Sequence, residues 1–239
     1  MTSEWLRLKR QPSGNEFDID AVVNAQVELR NGHTPSENLY QDRRRDLHDI
    51  AAMILLDQSY STDAWLNDVR VLDVINESIF CVSEVLEDYI ETFAIAGFAS
   101  NTRRACRFNM LKEFDEPWSK AKDRLGAVKP EGYTRIGPAL RHAHERLLNQ
   151  KARRKIVILL TDGRPCDYDR YEGKHGIHDV KKAIETGLQY GIHTHAFAIE
   201  KQAAEYFPQM FIGHHFDILQ NPGKLSGALV KLFARLMSG

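Results

Sequence analysis

The sequence predicts an α/β domain: a doubly wound, mostly parallel six-stranded sheet with one antiparallel edge strand and helices on both faces. Three observations carry this. Residues 50–56 and 155–160 are continuous apolar runs closed by polar residues, the pattern of strands buried on both faces. Stretches with apolar residues at helical spacing alternate with strand-like runs along most of the chain. A length of 239 residues suffices for one large domain with a buried core plus a short appendage.

Residues 1–46 read as an N-terminal extension and linker, and residues 47–239 as the domain. Trp5-Leu6-Arg7-Leu8-Lys9-Arg10 alternates weakly, as an edge strand would, before the turn chemistry of Pro12-Ser13-Gly14-Asn15. Asp18 is placed to cap a short helix with Ile19, Val22, Val23 and Val27 as its apolar face, ended by Asn31-Gly32. Residues 34–45 form a polar connector, and Arg43-Arg44-Arg45 reads as a solvated lead-in to the first core strand.

Residues 64–87 show helical spacing through Trp65, Val69, Leu72, Ile75, Ile79, Val82 and Leu86, so this helix is expected to pack on the sheet. A strand over 90–99 and an antiparallel edge strand over 107–111 follow. A short helix is expected over 117–125, and residues 136–148 resume an amphipathic helix. The second half gives strand 155–160, helix 180–190, strand 192–199, short helix 203–210, short strand 216–219 and a closing helix over 222–237. There is no internal repeat of the kind a solenoid needs.

Bulk properties exclude several classes. With 32 basic and 33 acidic residues, net charge −1, no overall field favours nucleic acid or an anionic membrane. No stretch approaches the ~20 apolar residues of a membrane span, and the start lacks the pattern of a signal peptide. Cys81, Cys106 and Cys166 are few and odd in number, which suits a reducing compartment, and a cytoplasmic location is the expectation. The paired histidines (142/144, 175/178, 193/195, 214/215) lack a zinc spacing such as H-E-x-x-H, and neither G-x-S-x-G, a Walker A motif nor G-x-G-x-x-G is present.

The chemistry collects where the two apolar runs end. Open α/β sheets bind ligands at the carboxyl ends of their strands. Asp57, Ser59 and Ser61 follow the first run as D-x-S-x-S, Thr134 lies in a turn before a helix, and Asp162 closes the second run in Thr161-Asp162-Gly163. All five offer hard oxygen donors, which suit Mg²⁺, with Mn²⁺ or Ca²⁺ as alternatives. Each residue alone also reads as a helix cap or turn former, with Asp57 and Asp162 capping helices and the serines satisfying turn amides. What favours a metal is the joint occurrence on three loops.

Together these loops resemble the von Willebrand A-type domain, also called integrin I-like, with its Rossmann-like sheet and metal-ion-dependent adhesion site. The resemblance runs from about residue 47 to the C-terminus. It implies that Ser59 and Ser61 ligate directly, that Thr134, Asp57 and Asp162 ligate directly or through water, and that one position is left for a partner's carboxylate. Gly132 is expected to permit a close chain approach or a positive φ beside Thr134.

The loop after Asp162 is expected to overhang the metal, and Arg164, Tyr168 and Tyr171, with Tyr60 and Arg135 beside the metal loops, are candidates to contact a docked protein. An ordinary solvated loop is the alternative. Asp167 and Asp169 read as helix caps or loop hydrogen-bond acceptors rather than extra ligands, and Cys166 as an inert thiol.

Particular phrases narrow the resemblance. Arg45-Asp46-Leu47 leading into Leu56-Asp57-Gln58-Ser59-Tyr60-Ser61-Thr62, then Lys112-Glu113-Phe114-Asp115-Glu116-Pro117, then Thr161-Asp162-Gly163-Arg164-Pro165 are similar to the C-terminal part of the CbbO/NorD family. That family works with MoxR-type AAA+ ATPases: CbbO with CbbQ in activating Rubisco, NorD with NorQ in maturing nitric oxide reductase. The resemblance implies a non-catalytic adaptor that grips a client carboxylate through a divalent metal. It also implies that the chain is a C-terminal fragment of a longer protein whose missing part bears on the ATPase contact. Two rivals are a Mg²⁺-dependent hydrolase, since an open metal position can activate water, and a metal-free interaction domain.

Overall fold

The computed structural model describes residues 5–238 apart from Asn15, Asp46, Leu47, Asn67, Lys201, Ile212 and His214. Asp46, Leu47 and His214, used in the reading above, therefore lie outside the described residues. The chain divides into two compact units, residues 1–47 and 48–239.

In the first unit, β1 (Trp5–Gln11), β2 (Glu16–Phe17) and β3 (Tyr40–Arg45) form an antiparallel sheet in the order β1-β3-β2, with helix α1 (Ile19–Arg30) between β2 and β3. Asp18 caps α1 as expected, its carboxylate accepting from the amides of Asp20 and Ala21. The expected inward face is wrong. Ala21 and Ala25 are the buried residues, whereas Ile19, Val22, Val23 and Val27 are exposed. The connector reading of 34–45 also fails in part, because Arg43, Arg44 and Arg45 pair with Arg7, Leu6 and Trp5. A Tyr-Gln-Asp-Arg-Arg-Arg strand has neither alternation nor β-branched residues, and only its partner's pairing reveals it.

The second unit is built on β4 (His48–Asp57), in which every residue from Ile50 to Asp57 is buried. After it come the short strands β5 (Trp65–Leu66) and β6 (Val69–Arg70), α2 (Val71–Leu86), β7 (Ile90–Thr102), β8 (Ala105–Lys112), α3 (Trp118–Gly126) and α4 (Ile136–Leu148). The chain closes through β9 (Arg154–Thr161), α5 (Gly173–Gln189), β10 (Ile192–Ala198), α6 (Ala203–Met210), β11 (Phe216–Ile218) and α7 (Leu225–Ser238). The main sheet runs β11-β10-β9-β4-β7-β8, parallel throughout except for the antiparallel edge strand β8.

Alternate β4 side chains feed two cores. Ile50, Ala52, Ile54 and Leu56 meet Ile75 and Ile79 of α2 and Leu229 and Phe233 of α7. Ala51, Met53 and Leu55 meet Leu140 of α4, Val180 of α5 and Phe207 of α6. This is the doubly wound arrangement the apolar runs predict, and it fixes β4 and β9 as adjacent strands ending at the same rim. Among the described residues, no helix is long and apolar enough to cross a membrane.

Two boundaries differ from expectation. The helix expected from residue 64 starts at Val71, because a short helical turn at Tyr60–Asp63 and the β5-β6 hairpin intervene, with Asp68 at φ 63°. Trp65 fell in phase with the true helix by coincidence and is 69% exposed. Helix α5 begins at Gly173, seven residues before the expected start, which shortens the loop after Asp162. Its first turns looked like loop because they hold two glycines. Gly176 is required there, since a Cβ would lie 2.8 Å from the Cβ of Pro165.

Candidate metal centre

The carboxyl ends of β4 and β9 bring together all five oxygen-bearing residues expected at the site. Asp57, the last residue of β4, is fully buried. Its Oδ1 accepts from the Ser59 amide at 2.9 Å and its Oδ2 from the Thr161 hydroxyl at 2.6 Å. The Thr134 hydroxyl reaches Oδ1 at 3.5 Å. Ser59 Oγ and Ser61 Oγ are 2.9 Å apart, and Ser61 Oγ donates to Asp162 Oδ1 at 2.9 Å. A continuous chain of side-chain oxygens thus links the first loop to the end of β9.

Backbone bonds hold the loops in register. Glu131 and Tyr60 amides donate to the carbonyls of Gln58 (2.5 Å) and Gly132 (3.0 Å), joining the Asp57 loop to the approach to Thr134. Tyr133 and Ser100 exchange bonds, as do Thr134 and Cys166, so Thr134 is pinned between β7 and the loop after Asp162. Gly132 has φ +68°, and a Cβ there would lie 2.4 Å from the Ser100 carbonyl oxygen, so both of its expected uses apply.

The electrostatics are unusual for a buried site. Burial pushes the Asp57 carboxyl up from its ordinary value, against the hydrogen bonds that favour its charge. Burial and then the Asp57 charge push Asp162 up to about 7. Among the described residues, no Lys, Arg or His forms an ion pair with either carboxylate. Two acids are held together at the mouth of the sheet with only hydroxyl and amide donors around them, an arrangement that a divalent cation would relieve.

The donor set fits Mg²⁺ or Mn²⁺. Asp57 and Asp162 offer carboxylates and Ser59, Ser61 and Thr134 hydroxyls, the hard oxygen donors these ions take. Among the described residues, no group of three or more His, Cys, Asp or Glu could hold a metal, so the site depends on its hydroxyls.

Two of the residues expected to contact a partner are buried. Arg135, at the start of α4, donates through Nε to Asp167 Oδ2 at 2.8 Å and also pairs with Asp169. Its guanidinium lies 4.1 Å from the centre of the Tyr171 ring. Tyr171 is itself buried, donating to Asp179 Oδ2 at 2.5 Å and accepting from the Gly137 amide at 3.2 Å. Arg135 and Tyr171 therefore fasten the loop to α4 and offer no contact surface. Asp167 and Asp169, expected as hydrogen-bond acceptors, serve this ion-pair cluster.

Tyr60 and Tyr168 are exposed as expected, at 64% and 78%. Arg164 is half-exposed and leans on α6, pairing with Glu205 at 3.2 Å and lying 5.3 Å over the Tyr206 ring. Sequence reasoning missed Thr161 as a partner of Asp57, although it stood beside Asp162 in the same motif. It also missed Gln58, whose side chain packs on Gly97 and accepts from Asn109 at 3.1 Å, tying the first loop to β8. Of the histidines, His195 pairs with Asp217 and His144 is buried between α4 and Gly187 of α5.

Comparison with known proteins adds to this geometry. The model of the von Willebrand factor type A domain matches residues 52–215. The chain is 38% identical to the NorD protein of Stutzerimonas stutzeri over 221 residues, covering 92% of this chain and 36% of that protein. It is 34% identical to NorD of Brucella melitensis over 233 residues, covering 97% of this chain and 37% of the other. It thus spans little more than a third of the length of these curated relatives. A von Willebrand factor type A structure from Catenulispora acidiphila superposes with a TM-score of 0.57 at 16% identity, over 98% of this chain and 50% of that one.

Proposed function

This chain belongs to the von Willebrand factor type A domain family, and on that premise we propose that it is the client-gripping part of a protein-activation complex. The observation that carries the reading is the pair of buried carboxylates, Asp57 and Asp162, joined through serine hydroxyls and without a cationic side chain among the described residues. Asp57, Ser59, Ser61, Thr134 and Asp162 would hold Mg²⁺, with Mn²⁺ able to replace it. The bound cation would supply an electrophile with one position open to an incoming Asp or Glu. Three of the five donors are neutral, so the cation would keep more pull on an acid from outside than an all-carboxylate site leaves it.

The protein's own groups do the positioning. Thr161 and the Ser59 amide fix the Asp57 carboxylate, and the bridges from Thr134 to Cys166 and from Tyr133 to Ser100 hold the second loop before any partner arrives. Such preorganisation lowers the ordering cost of binding.

The likeness to NorD proteins supports an accessory role in general. In the finer reading, a MoxR-type AAA+ ring of the CbbQ or NorQ kind supplies force, and the client is nitric oxide reductase or Rubisco. The adaptor contributes no catalytic residue. With the chain reconstituted alongside its ATPase and client in Mg²⁺, Asp57→Ala is expected to abolish client activation while ATP hydrolysis by the ring continues. Normal activation by the folded variant would sink the reading, and turnover of simple phosphate esters in Mg²⁺ would move it towards a hydrolase.

A further inference from the structure

The oxygen cluster opens into a groove of about 690 Å³ that is apolar along much of its wall. Ser59, Ser61, Thr134 and Asp162 line one part, and Tyr60, Leu66, Val71 and Tyr133 line another. Leu66 belongs to the β5-β6 hairpin that interrupts the expected helix. That hairpin holds Leu66 38% exposed, beside the exposed Trp65 and Val69. Single exposed apolar residues are ordinary, but Tyr60, Leu66 and Tyr133 border one opening.

The chain spends local structure to make this wall. Val71 donates its amide to the Ala64 carbonyl at 3.0 Å, closing the hairpin over the start of α2. Arg70 ties the same turn to Asp63 at 2.6 Å. A carboxylate docked on a cation at Asp57, Ser59 and Asp162 would leave the apolar side of the groove in water unless its own chain supplied a side chain to cover it.

Resting on the metal reading above, we propose that this site recognises an acidic residue together with a large aliphatic or aromatic residue one or two positions away, in a segment of a partner protein. The carboxylate goes to the cation and the apolar side chain to the wall formed by Leu66, Tyr60 and Tyr133. The occupant is fixed by continuity: the cation position and the wall share one groove, so one short segment reaches both.

The test uses fluorescently tagged, N-acetylated hexapeptides of Gly and Ser carrying one Glu, followed at the next or next-but-one position by Leu, Phe or Asn. Anisotropy is measured with the chain in Mg²⁺ and in EDTA. The expected result is binding only in Mg²⁺, with the Leu or Phe peptides about tenfold tighter than the Asn peptide, the scale set by one buried apolar side chain. Leu66→Ser, checked for folding by circular dichroism, is expected to narrow that gap to below about threefold. Equal Mg²⁺-dependent affinity for all the Glu peptides would overturn this inference and leave the metal reading intact. Binding of no peptide in Mg²⁺, or equal binding in EDTA, would overturn both.

Discussion

Two pairs of acids stand close together at the rim of the sheet, and they are treated in opposite ways. Asp167 and Asp169 are neutralised from within: Arg135 pairs with both, and its guanidinium is stacked on buried Tyr171. Asp57 and Asp162 are buried among hydroxyls and amides, and burial raises both carboxyls. A buried carboxylate without a charge partner is costly, and the first pair demonstrates that this fold can supply an arginine where the acid's role is structural. The contrast is what supports the proposal that the second pair takes its counter-charge from solution.

The largest test of that contrast is Arg135→Ala. It leaves the fully buried Asp167 side chain unpaired and is expected to cost about 3–5 kcal/mol in urea denaturation. Asp57→Asn in metal-free buffer is expected to be neutral or stabilising by the same measurement, because it removes an uncompensated charge. Equal losses for the two variants would break the distinction.

A smaller effect is the pH dependence. A carboxyl in the unfolded chain titrates near 3.8, whereas Asp162 in the metal-free fold is pushed up to about 7. Between those values the folded state holds a proton that the unfolded state has lost, so this contribution falls as pH rises, and the loss is complete above about 7. Burial pushes His144 down to about 4, which acts the other way: its contribution is full above 6.5 and is lost as pH falls towards 4. The Asp162 effect is therefore read as the difference between wild type and Asp162→Asn. Thermal melts should show Mg²⁺ raising the wild-type midpoint more at pH 8 than at pH 5; a hundredfold excess over the Kd at pH 8 corresponds to about 2.7 kcal/mol of added stability there. An equal shift in Asp57→Asn would contradict the assignment.

The sheet was legible because its central strands are apolar on both faces. Residues 50–56 and 155–160 can bury themselves only between two helical layers, and the ends of those runs located Asp57 and Asp162. Helices 136–148 and 203–210 were legible to the residue, their apolar stripes being unbroken. What failed were elements decided by partners rather than by their own pattern. The β3 strand exists through its pairing with β1, and the β5-β6 hairpin was concealed because Trp65 and Val69 fell in phase with α2.

The site shows the same division. Oxygen donors could be read from the motifs, since hard-ligand chemistry is a property of residue type. Whether Arg135 and Tyr171 faced outward could not, because their burial depends on Asp167, Asp169 and Asp179, which lie 32 to 44 residues along the chain from Arg135.

The central claim is that the rim binds one divalent cation through Asp57 and its neighbours, and isothermal calorimetry of Mg²⁺ or Mn²⁺ into the metal-free chain tests it most directly. The account predicts a single saturable site in the wild type and no heat beyond dilution in Asp57→Ala. A wild-type chain that takes up neither ion, or an Asp57→Ala chain that binds as well as wild type, would contradict it.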